Sequence, residues 1–255
     1  MHLILVGATG LVGSAVLSHM LSLPAGQIDQ ISILARRPVP MAEGHPHVKV
    51  IEHHDFSDFP LEVLHQLKGA DGCIWALGTS QGLVSKEEYM KITVDYTIAA
   101  AKAFSTLSDP FKFVFVSADG ATENPGTLTP FFLHAKGQAE SALIALRSTH
   151  PSLRPYCLRP GFVDKSSQPE LSKWQVQRTM PLLKKLIPVL GPIYRTVYPS
   201  GTTPTPQLGK VLTDLAMGDG DDLEGSGIVG GGESSPTLGS EGWQKFEVHS
   251  NRYVL

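Results

Sequence analysis

Three glycines spaced three residues apart follow an apolar run at the start of the chain. Residues 3–6 have the composition of a buried strand, the glycines come next, and a helical pattern begins at Leu11. In this context the first glycine permits a sharp turn, the second lets backbone approach a pyrophosphate, and the third lets the helix pack closely on the strand. Backbone N–H groups and the helix dipole favour an anion at such a corner. The motif predicts a dinucleotide site, with a purely structural turn as the alternative; its residues are Gly7, Ala8, Thr9, Gly10, Leu11, Val12 and Gly13.

Strand-like and helical segments alternate along the first two-thirds of the chain. Apolar runs lie at residues 3–6, 30–35, 48–51, 72–77, 112–117 and 156–159, and helical patterns at 11–23, 61–67, 86–107 and 131–148. This alternation predicts an α/β fold, a doubly wound parallel sheet of the Rossmann type with helices on both faces. We expect residues 1–163 to form the NAD(P)-binding domain.

The remainder of the chain, residues 164–255, has a different texture. Residues 164–206 are rich in proline and basic side chains and show no clear strand. We expect them to form a small substrate cap, because ligands in such sheets lie outside the carboxyl ends of the strands. A helix at 206–218 and a last strand at 227–230 are predicted to belong to the same compact domain.

Composition argues against several classes of function. The formal net charge of −3 offers no positive surface for a nucleic-acid partner. The histidines lack metal-ligand spacing, so no metal site is expected. Cys73 and Cys157 lie in apolar runs, which is typical of reduced, buried thiols. No run approaches the length of a membrane span and no targeting segment precedes the first strand. We therefore expect a cytoplasmic protein without an integral membrane segment.

The residues at the ends of successive strands indicate which nucleotide binds. An acidic residue after the second strand would bind the ribose hydroxyls of NAD, but Arg36 and Arg37 stand there. Guanidinium groups can bind a 2′-phosphate and stack on adenine, so NADP(H) is favoured over NAD(H). Two solvated surface arginines are the alternative. Further cofactor contacts are expected at later strand ends, from Asp55, Phe56, Ala76, Leu77, Gly78, Thr79, Lys136, Pro160, Gly161, Phe162 and Val163.

Several motifs together resemble the extended or atypical short-chain dehydrogenase/reductase superfamily. They are the glycine turn, Ala76-Leu77-Gly78-Thr79, Val116-Ser117-Ala118-Asp119-Gly120-Ala121, Lys136-Gly137-Gln138-Ala139-Glu140 and Leu158-Arg159-Pro160-Gly161. The second and fourth motifs in combination are similar to a narrower branch, the Tat-interactive-protein-like oxidoreductases and their fungal relatives at the mitochondrial outer membrane. The resemblance implies an NAD(P)-binding oxidoreductase with a small-molecule substrate. A homodimer and a peripheral position at that membrane are compatible with it.

The catalytic positions depart from the pattern of the superfamily. Its hydride chemistry uses a tyrosine that exchanges a proton, a lysine four residues on and a hydroxyl that polarises the carbonyl. Lys136 matches the lysine, but Phe132 stands at the tyrosine position. Of the usual paired serines only Ser117 remains, because Ala118 replaces the catalytic one. Glu140, one helical turn beyond Lys136, is expected to pair on the helix surface.

Two further residues are candidates for the missing acid or base. Asp119 follows the fifth strand where related sugar-nucleotide dehydratases carry an acidic proton donor, and a simple Asp-Gly turn is the alternative. Tyr194, in the expected cap, could supply a phenol. The predicted catalytic set is thus Lys136, Asp119, Ser117 and Tyr194.

Three functional hypotheses are compatible with these residues. The first is an NADP-dependent oxidoreductase of a small carbonyl, alcohol or activated double bond, with water or a cap residue supplying the proton. The second is a non-redox isomerase, dehydratase or lyase that uses Asp119. The third is a regulatory protein that senses NADP(H) without catalysis. We favour the first because the cofactor-binding residues are intact, whereas no substrate-reading motif supports the others.

Overall fold

A parallel sheet of seven strands lies at the centre of the computed structural model. The structure describes residues 1–175, 201–224, 234–239, 247–249 and 252–254. The strands are β1 His2–Val6, β2 Gln30–Ala35, β3 Val48–Glu52, β4 Gly72–Trp75, β5 Phe111–Val116, β6 Leu153–Leu158, β7 Phe162–Asp164, β8 Thr202–Pro204, β9 Leu223–Glu224, β10 Ser234–Ser235, β11 Thr237–Leu238, β12 Glu247–His249 and β13 Arg252–Val254. The central sheet has the order β11-β6-β5-β4-β1-β2-β3, and every neighbouring pair is parallel.

Helices connect the strands of this sheet. They are α1 Leu11–Ser22, α2 Leu61–Gln66, α3 Lys86–Met90, α4 Tyr96–Phe104, α5 Phe131–Leu146 and α6 Thr205–Met217, with 3₁₀ turns at Pro40–Ala42 and Pro169–Lys173. Two hydrophobic cores cover the two faces of the sheet. Leu3 and Leu5 of β1 join the core beneath α1 and α6, whereas Ile4 and Val6 join the core beneath α4 and α5. This alternation follows from the two-residue period of a strand, and it confirms the predicted doubly wound α/β fold.

Strand pairing over long sequence distances corrects the expectation for residues 164–206. Thr202–Pro204 is a strand and pairs in parallel with Phe162–Asp164, with Phe162 opposite Thr202. The hydroxyl of Thr203 accepts the Gly161 N–H at 3.1 Å, which holds the start of this pair. The prediction of no strand was wrong because a three-residue strand has too little local pattern to stand out from a proline-rich segment.

The long helix predicted over residues 86–107 is divided into three parts. A π-helical turn, Lys91–Asp95, separates α3 from α4, and α4 ends at Phe104. The predicted helix over 206–218 is α6, which packs on α1. A Cβ at Gly209 would lie 2.6 Å from the carbonyl oxygen of Ala15, so only glycine permits this approach. The strand predicted at 227–230 lies outside the described residues, and β11 completes the sheet beside β6.

Two general features of the described residues bear on function. None of their helices combines the length and apolar character needed to cross a membrane. The same part of the chain holds no group of three metal-ligating side chains. Cys73 and Cys157 are buried free thiols in β4 and β6, and burial raises the pKa of both well above the usual value.

Candidate functional site

A cavity of about 930 Å³ opens at the carboxyl ends of the central strands. Its wall is formed by the ends of β1, β2, β4 and β5, together with α5 and the segment after β6. This volume lies within the range of small-molecule and cofactor sites. The lining residues are Gly7, Ala8, Thr9, Gly10, Leu11, Val12, Leu34, Ala35, Arg36, Arg37, Phe56, Ala76, Leu77, Gly78, Thr79, Ser80, Tyr89, Val116, Ser117, Lys136, Gly161, Phe162, Val163, Asp164, Lys165 and Gln175.

The turn between β1 and α1 leaves no room for a side chain at Gly7 or at Gly13. Gly7 has a φ of +90°, and a Cβ there would lie 2.5 Å from the carbonyl oxygen of Ala76. A Cβ on Gly13 would lie 2.1 Å from the carbonyl oxygen of Gly7, so this glycine packs beneath the turn instead of lining the cavity. The Gly10 N–H closes the turn by donating to the Gly7 carbonyl at 2.9 Å. At Gly7 and Gly10 the turn therefore exposes backbone to the cavity, between the side chains of Ala8 and Thr9.

The N-terminus of α1 faces the cavity. Within the described residues, Gly10 at the N-cap provides no capping side chain, and the first turn contains no acidic residue. The first N–H groups of an α-helix have no partner inside the helix, and the helix dipole adds positive potential there. The residues present therefore fit the pyrophosphate of a dinucleotide, because its oxygens would accept from these N–H groups.

The β2 side of the cavity carries two guanidinium groups. Arg36 and Arg37 are exposed and line the cavity. Neither forms an ion pair with a carboxylate in the described ranges. Of the two cofactor contacts predicted at the end of β3, Phe56 is buried and lines the cavity, but Asp55 does not line it. Asp55 instead accepts from the N–H and hydroxyl of Ser57, hydrogen bonds that lower the pKa of its carboxyl. This local turn directs the carboxylate away from the cavity.

Ser117 and Lys136 meet on the β5 side of the cavity. Ser117 is buried, and its hydroxyl has no hydrogen-bond partner among the described residues. The Lys136 ammonium donates to the Val116 carbonyl oxygen at 2.6 Å and lies 4.5 Å from the centre of the Phe115 ring. Burial lowers the pKa of Lys136 to about 8, and the Glu140 carboxylate opposes this shift. An unpartnered hydroxyl and an ammonium in one cavity can together bind an oxygen atom of a ligand.

Glu140 and Arg159 form a buried ion pair behind Lys136. The Arg159 Nε donates to both Glu140 carboxylate oxygens at 3.0 and 3.1 Å, and one terminal nitrogen donates at 2.5 Å. The Glu140 side chain is 4% exposed, so the prediction that it pairs on the helix surface was wrong. Residues 136 and 140 share one helix face, which packs on β5 and β6, and the pair satisfies the charge that this packing buries.

The remaining predicted site residues are not in the cavity wall. Asp119 is exposed, and its N–H donates to the Pro160 carbonyl oxygen at 2.9 Å. Pro160 does not line the cavity either, although the three residues after it do. Tyr194 lies outside the described residues. This hydrogen bond between Asp119 and Pro160 joins the loops that follow β5 and β6. The two residues thus help to position these loops at the edge of the cavity.

Besides Ser80, four polar residues of the cavity wall were not predicted from the sequence. Tyr89 comes from α3, Asp164 and Lys165 from the end of β7, and Gln175 from the segment after the second 3₁₀ turn. The Gln175 amide donates to the Ser14 hydroxyl on α1 at 3.3 Å. The alternation of strands and helices could have indicated Tyr89, Asp164 and Lys165, because it places the segments after β4 and β6 beside this cavity. No local pattern marks Gln175.

Replacing Lys136 by an apolar residue is expected to change the stability of the protein and its affinity for NADPH in opposite directions. Because the pKa of Lys136 is near 8 in the folded state against 10.5 for an ordinary lysine, folding disfavours its charged form. This penalty is full below pH 8 and disappears as the pH approaches 10.5. Lys136→Met is therefore expected to raise the free energy of unfolding by about 1–3 kcal/mol at pH 7, less at pH 10, while weakening NADPH affinity roughly tenfold.

Urea unfolding at pH 7 and pH 10 and calorimetric titration measure these two effects. Lys102→Met, on the exposed face of α4, serves as the matched control and should change neither quantity. A Lys136→Met protein that is less stable than the wild type at pH 7 would contradict the assignment of an unfavourably buried ammonium.

Comparison with known proteins assigns the chain to a class. No family model matches the sequence. The chain is 36% identical over 271 residues to leucinostatins biosynthesis cluster protein T of Purpureocillium lilacinum, an alignment that covers 98% of this chain and 97% of that protein. It is 34% identical over 163 residues to the mitochondrial protein FMP52 of Meyerozyma guilliermondii, covering 63% of this chain and 64% of that one.

Solved structures share the fold at low sequence identity. The Bordetella bronchiseptica enzyme WbmF in complex with NAD⁺ superposes with a TM-score of 0.62 at 15% identity, over 84% of this chain and 69% of that one. The reductase domain of PhqB from Penicillium fellutanum gives a TM-score of 0.59 at 16% identity, over 84% and 64% of the two chains. The glycine turn and parallel sheet define a Rossmann-fold protein. The chain belongs to the short-chain dehydrogenase/reductase superfamily as an atypical member.

Proposed function

We propose that this protein is an NADP(H)-dependent oxidoreductase that acts on a small carbonyl compound, alcohol or activated double bond. The observation that carries the proposal is the composition of one cavity. It joins the glycine turn, the guanidinium groups of Arg36 and Arg37, and the side chains of Ser117 and Lys136. Along the sheet, the arginines follow β2, the glycine turn follows β1, and Ser117 follows β5. An extended dinucleotide requires this order of 2′-phosphate, pyrophosphate and nicotinamide sites.

Each part of the cavity would bind one part of the cofactor. The N–H groups at the start of α1 would bind the pyrophosphate, and the two arginines the 2′-phosphate of the adenine ribose. Phe56, buried beside β3, would provide an apolar wall for adenine. Lys136 would bind the nicotinamide ribose hydroxyls. When bound in its reduced form, the nicotinamide would supply a hydride.

The chain's own polar groups would bind the substrate oxygen. The Ser117 hydroxyl has no hydrogen-bond partner among the described residues, so it is free to donate to a carbonyl oxygen. Buried donors aimed at a developing negative charge stabilise it more strongly than water does. The dry surroundings that lower the pKa of Lys136 would strengthen this effect. The unpartnered Ser117 hydroxyl and the dry surroundings of Lys136 thus favour reduction of a polar double bond.

The arginine pair provides a test of the NADP preference. Replacing Arg36 and Arg37 by alanine removes charge-assisted hydrogen bonds to the 2′-phosphate, each worth about 1.5–3 kcal/mol. We expect the NADPH dissociation constant to rise about 100-fold or more while that of NADH changes less than about threefold. Lys68→Ala combined with Lys102→Ala, which removes two exposed cations outside the cavity, is the charge-matched control. An equal loss for both nucleotides would exclude a role in recognising the phosphate.

The proposed function as a whole is tested by titrating the wild-type protein with NADPH, NADP⁺, NADH and NAD⁺. Nicotinamide fluorescence and calorimetry give the four dissociation constants. Micromolar binding of NADPH, with NADH at least tenfold weaker, is the expected result. If none of the four nucleotides binds at millimolar concentration, the proposal is wrong, whatever the fold.

A further inference from the structure

We propose that Tyr89, at the C-terminal part of α3, supplies the proton for the reaction of this cavity, in place of the phenol that Phe132 lacks. Tyr89, Ser117 and Lys136 would then be the catalytic residues. This inference rests on the proposed function, because proton donation completes the reduction that a bound nicotinamide begins. It differs from that function in assigning the proton to a helix on which the superfamily motif has no catalytic residue.

The cavity wall contains Tyr89 and not the residue at the expected position. Tyr89 is 4% exposed, and it lines the same cavity as Ser117 and Lys136. Phe132 is half-buried and does not line the cavity; its N–H donates to the side-chain oxygen of Gln81 at 3.2 Å. Tyr89 is the one phenol among the described lining residues. It therefore lies where an acid can reach a bound substrate.

The Tyr89 ring and its hydroxyl each have a neighbouring side chain. The ring packs edge-on against Phe131, with centroids 6.0 Å apart and an interplanar angle of 62°. Phe131 opens α5, the helix that also carries Lys136, so this contact joins the two helices. The Thr93 hydroxyl, four residues on, lowers the pKa of the Tyr89 phenol against the larger effect of burial and is thus a polar neighbour of it. A fixed ring whose hydroxyl has a polar neighbour is suited to donate a proton.

The π-helical turn places Thr93 beside Tyr89. Thr93 lies within Lys91–Asp95, and its carbonyl oxygen accepts the Thr97 hydroxyl at 2.7 Å. Single π-helical turns are frequent at functional sites because the wider turn redirects side chains. The irregular part of the predicted 86–107 helix is thus the part that supports the phenol.

Burial keeps the proton on the Tyr89 phenol until a substrate is bound. It raises the pKa of the phenol, and the neighbouring Thr93 hydroxyl opposes this shift. Lys136, Lys165 and Asp164 are charged groups in the wall of the same cavity, and Lys86 on α3 lies 5.4 Å from the centre of the Phe131 ring. Because burial is the largest cause of the shift, the phenol holds its proton until a substrate oxygen accepts it.

For a carbonyl substrate, Tyr89 would supply the one proton that the reduction consumes. The carbonyl carbon gains a hydride from the reduced nicotinamide assumed under the proposed function, and the carbon–oxygen π bond breaks. The O–H bond of Tyr89 breaks, and the O–H bond of the product alcohol forms. The Tyr89 phenolate then takes a proton from water, so one carbonyl, one hydride and one proton give one alcohol.

A spectrophotometric titration of tyrosine at 295 nm tests the assignment without any substrate. The wild type, Tyr89→Phe and the matched control Tyr96→Phe are titrated from pH 6 to 11 in the absence and in the presence of saturating NADP⁺. Tyr96 lies on α4 outside the cavity wall. We expect NADP⁺ to make one phenol of the wild type and of Tyr96→Phe ionise about one pH unit earlier than in the nucleotide-free protein, because the oxidised nicotinamide ring carries a positive charge. Tyr89→Phe should lose this step.

A second variant keeps the test open if Tyr89→Phe does not fold. Thr93→Val removes the hydroxyl that lowers the pKa of Tyr89 and keeps the phenol, so the early ionisation should move to higher pH. Reduction of the carbonyl probe 9,10-phenanthrenequinone by NADPH gives the kinetic measurement. Tyr89→Phe should lower kcat about 100-fold or more and change the NADPH dissociation constant less than about twofold.

The outcomes separate this inference from the proposed function. If NADP⁺ binds and no early ionisation depends on Tyr89, the assignment of Tyr89 is overturned and the proposed function stands. Equal quinone reduction by the wild type and Tyr89→Phe has the same meaning. If the wild type binds no nucleotide, the proposed function fails before Tyr89 is tested.

Discussion

Gly13→Ala is expected to abolish NADPH binding, raising the dissociation constant by roughly 100-fold or more. The added Cβ would lie 2.1 Å from the carbonyl oxygen and 2.6 Å from the carbonyl carbon of Gly7. Both are backbone atoms of the turn, so the strain cannot be relieved by rotating a side chain. The helix α1 must move away from β1, and the N–H groups that would bind the pyrophosphate move with it. Calorimetric titration with NADPH measures the loss.

Stability measurements show whether Gly13→Ala acts locally. Overpacking of this kind costs about 1–3 kcal/mol, which leaves the protein folded. Gly44→Ala is the control, because Gly44 has a φ of +80° but open space around its Cβ position. It should lose stability through backbone strain and keep full NADPH affinity. A Gly13→Ala protein that binds NADPH like the wild type would show that the turn does not hold the pyrophosphate.

Glu140→Ala is expected to reduce the free energy of unfolding by about 3–5 kcal/mol. The substitution leaves the Arg159 guanidinium, whose side chain is 16% exposed, without the carboxylate that now accepts three hydrogen bonds from it. A buried charge without a partner is far less stable than either the ion pair or an apolar replacement. Urea unfolding followed by circular dichroism gives the change.

A double variant identifies the unpaired charge as the cause. Glu140→Met combined with Arg159→Met should recover most of the lost stability, because it removes both charges and fills the same space. Asp222→Ala, which breaks the half-exposed pair with Arg147, should cost no more than about 1 kcal/mol. If the double variant is as unstable as Glu140→Ala, the loss comes from packing and not from the charge.

The parts of the fold that could be predicted are those with a local signal. The glycine turn lies within one strand and one helix, so its conformation was predictable from the spacing of its glycines alone. The apolar strands of the central sheet are buried on both faces, and their composition marks them without reference to the rest of the chain. The placement of Arg36 and Arg37 beside the cavity follows from the same logic, since both come directly after β2.

The parts that could not be predicted depend on contacts between distant residues. Whether Glu140 faces solvent or β6 is decided by Arg159, which is 19 residues away. The strand Thr202–Pro204 exists because it pairs with Phe162–Asp164. Tyr89 reads as part of an ordinary helix, and only the π-helical turn after it and the packing on Phe131 place its side chain at the cavity.

The strand β11 completes the central sheet beside β6. Because β11 is synthesised long after β6, the cavity wall that follows β6 depends on a late part of the chain. The Cys157 N–H donates to the Pro236 carbonyl oxygen, and the Arg159 N–H to that of Leu238. Until residues 236–238 have left the ribosome, β6 is an open edge that can pair with other nascent chains. The wall that follows β6 is held by a segment made almost 80 residues later. A dinucleotide that bound the finished wall would favour the completed chain over its aggregation-prone precursor, and so act as a folding ligand in the cell.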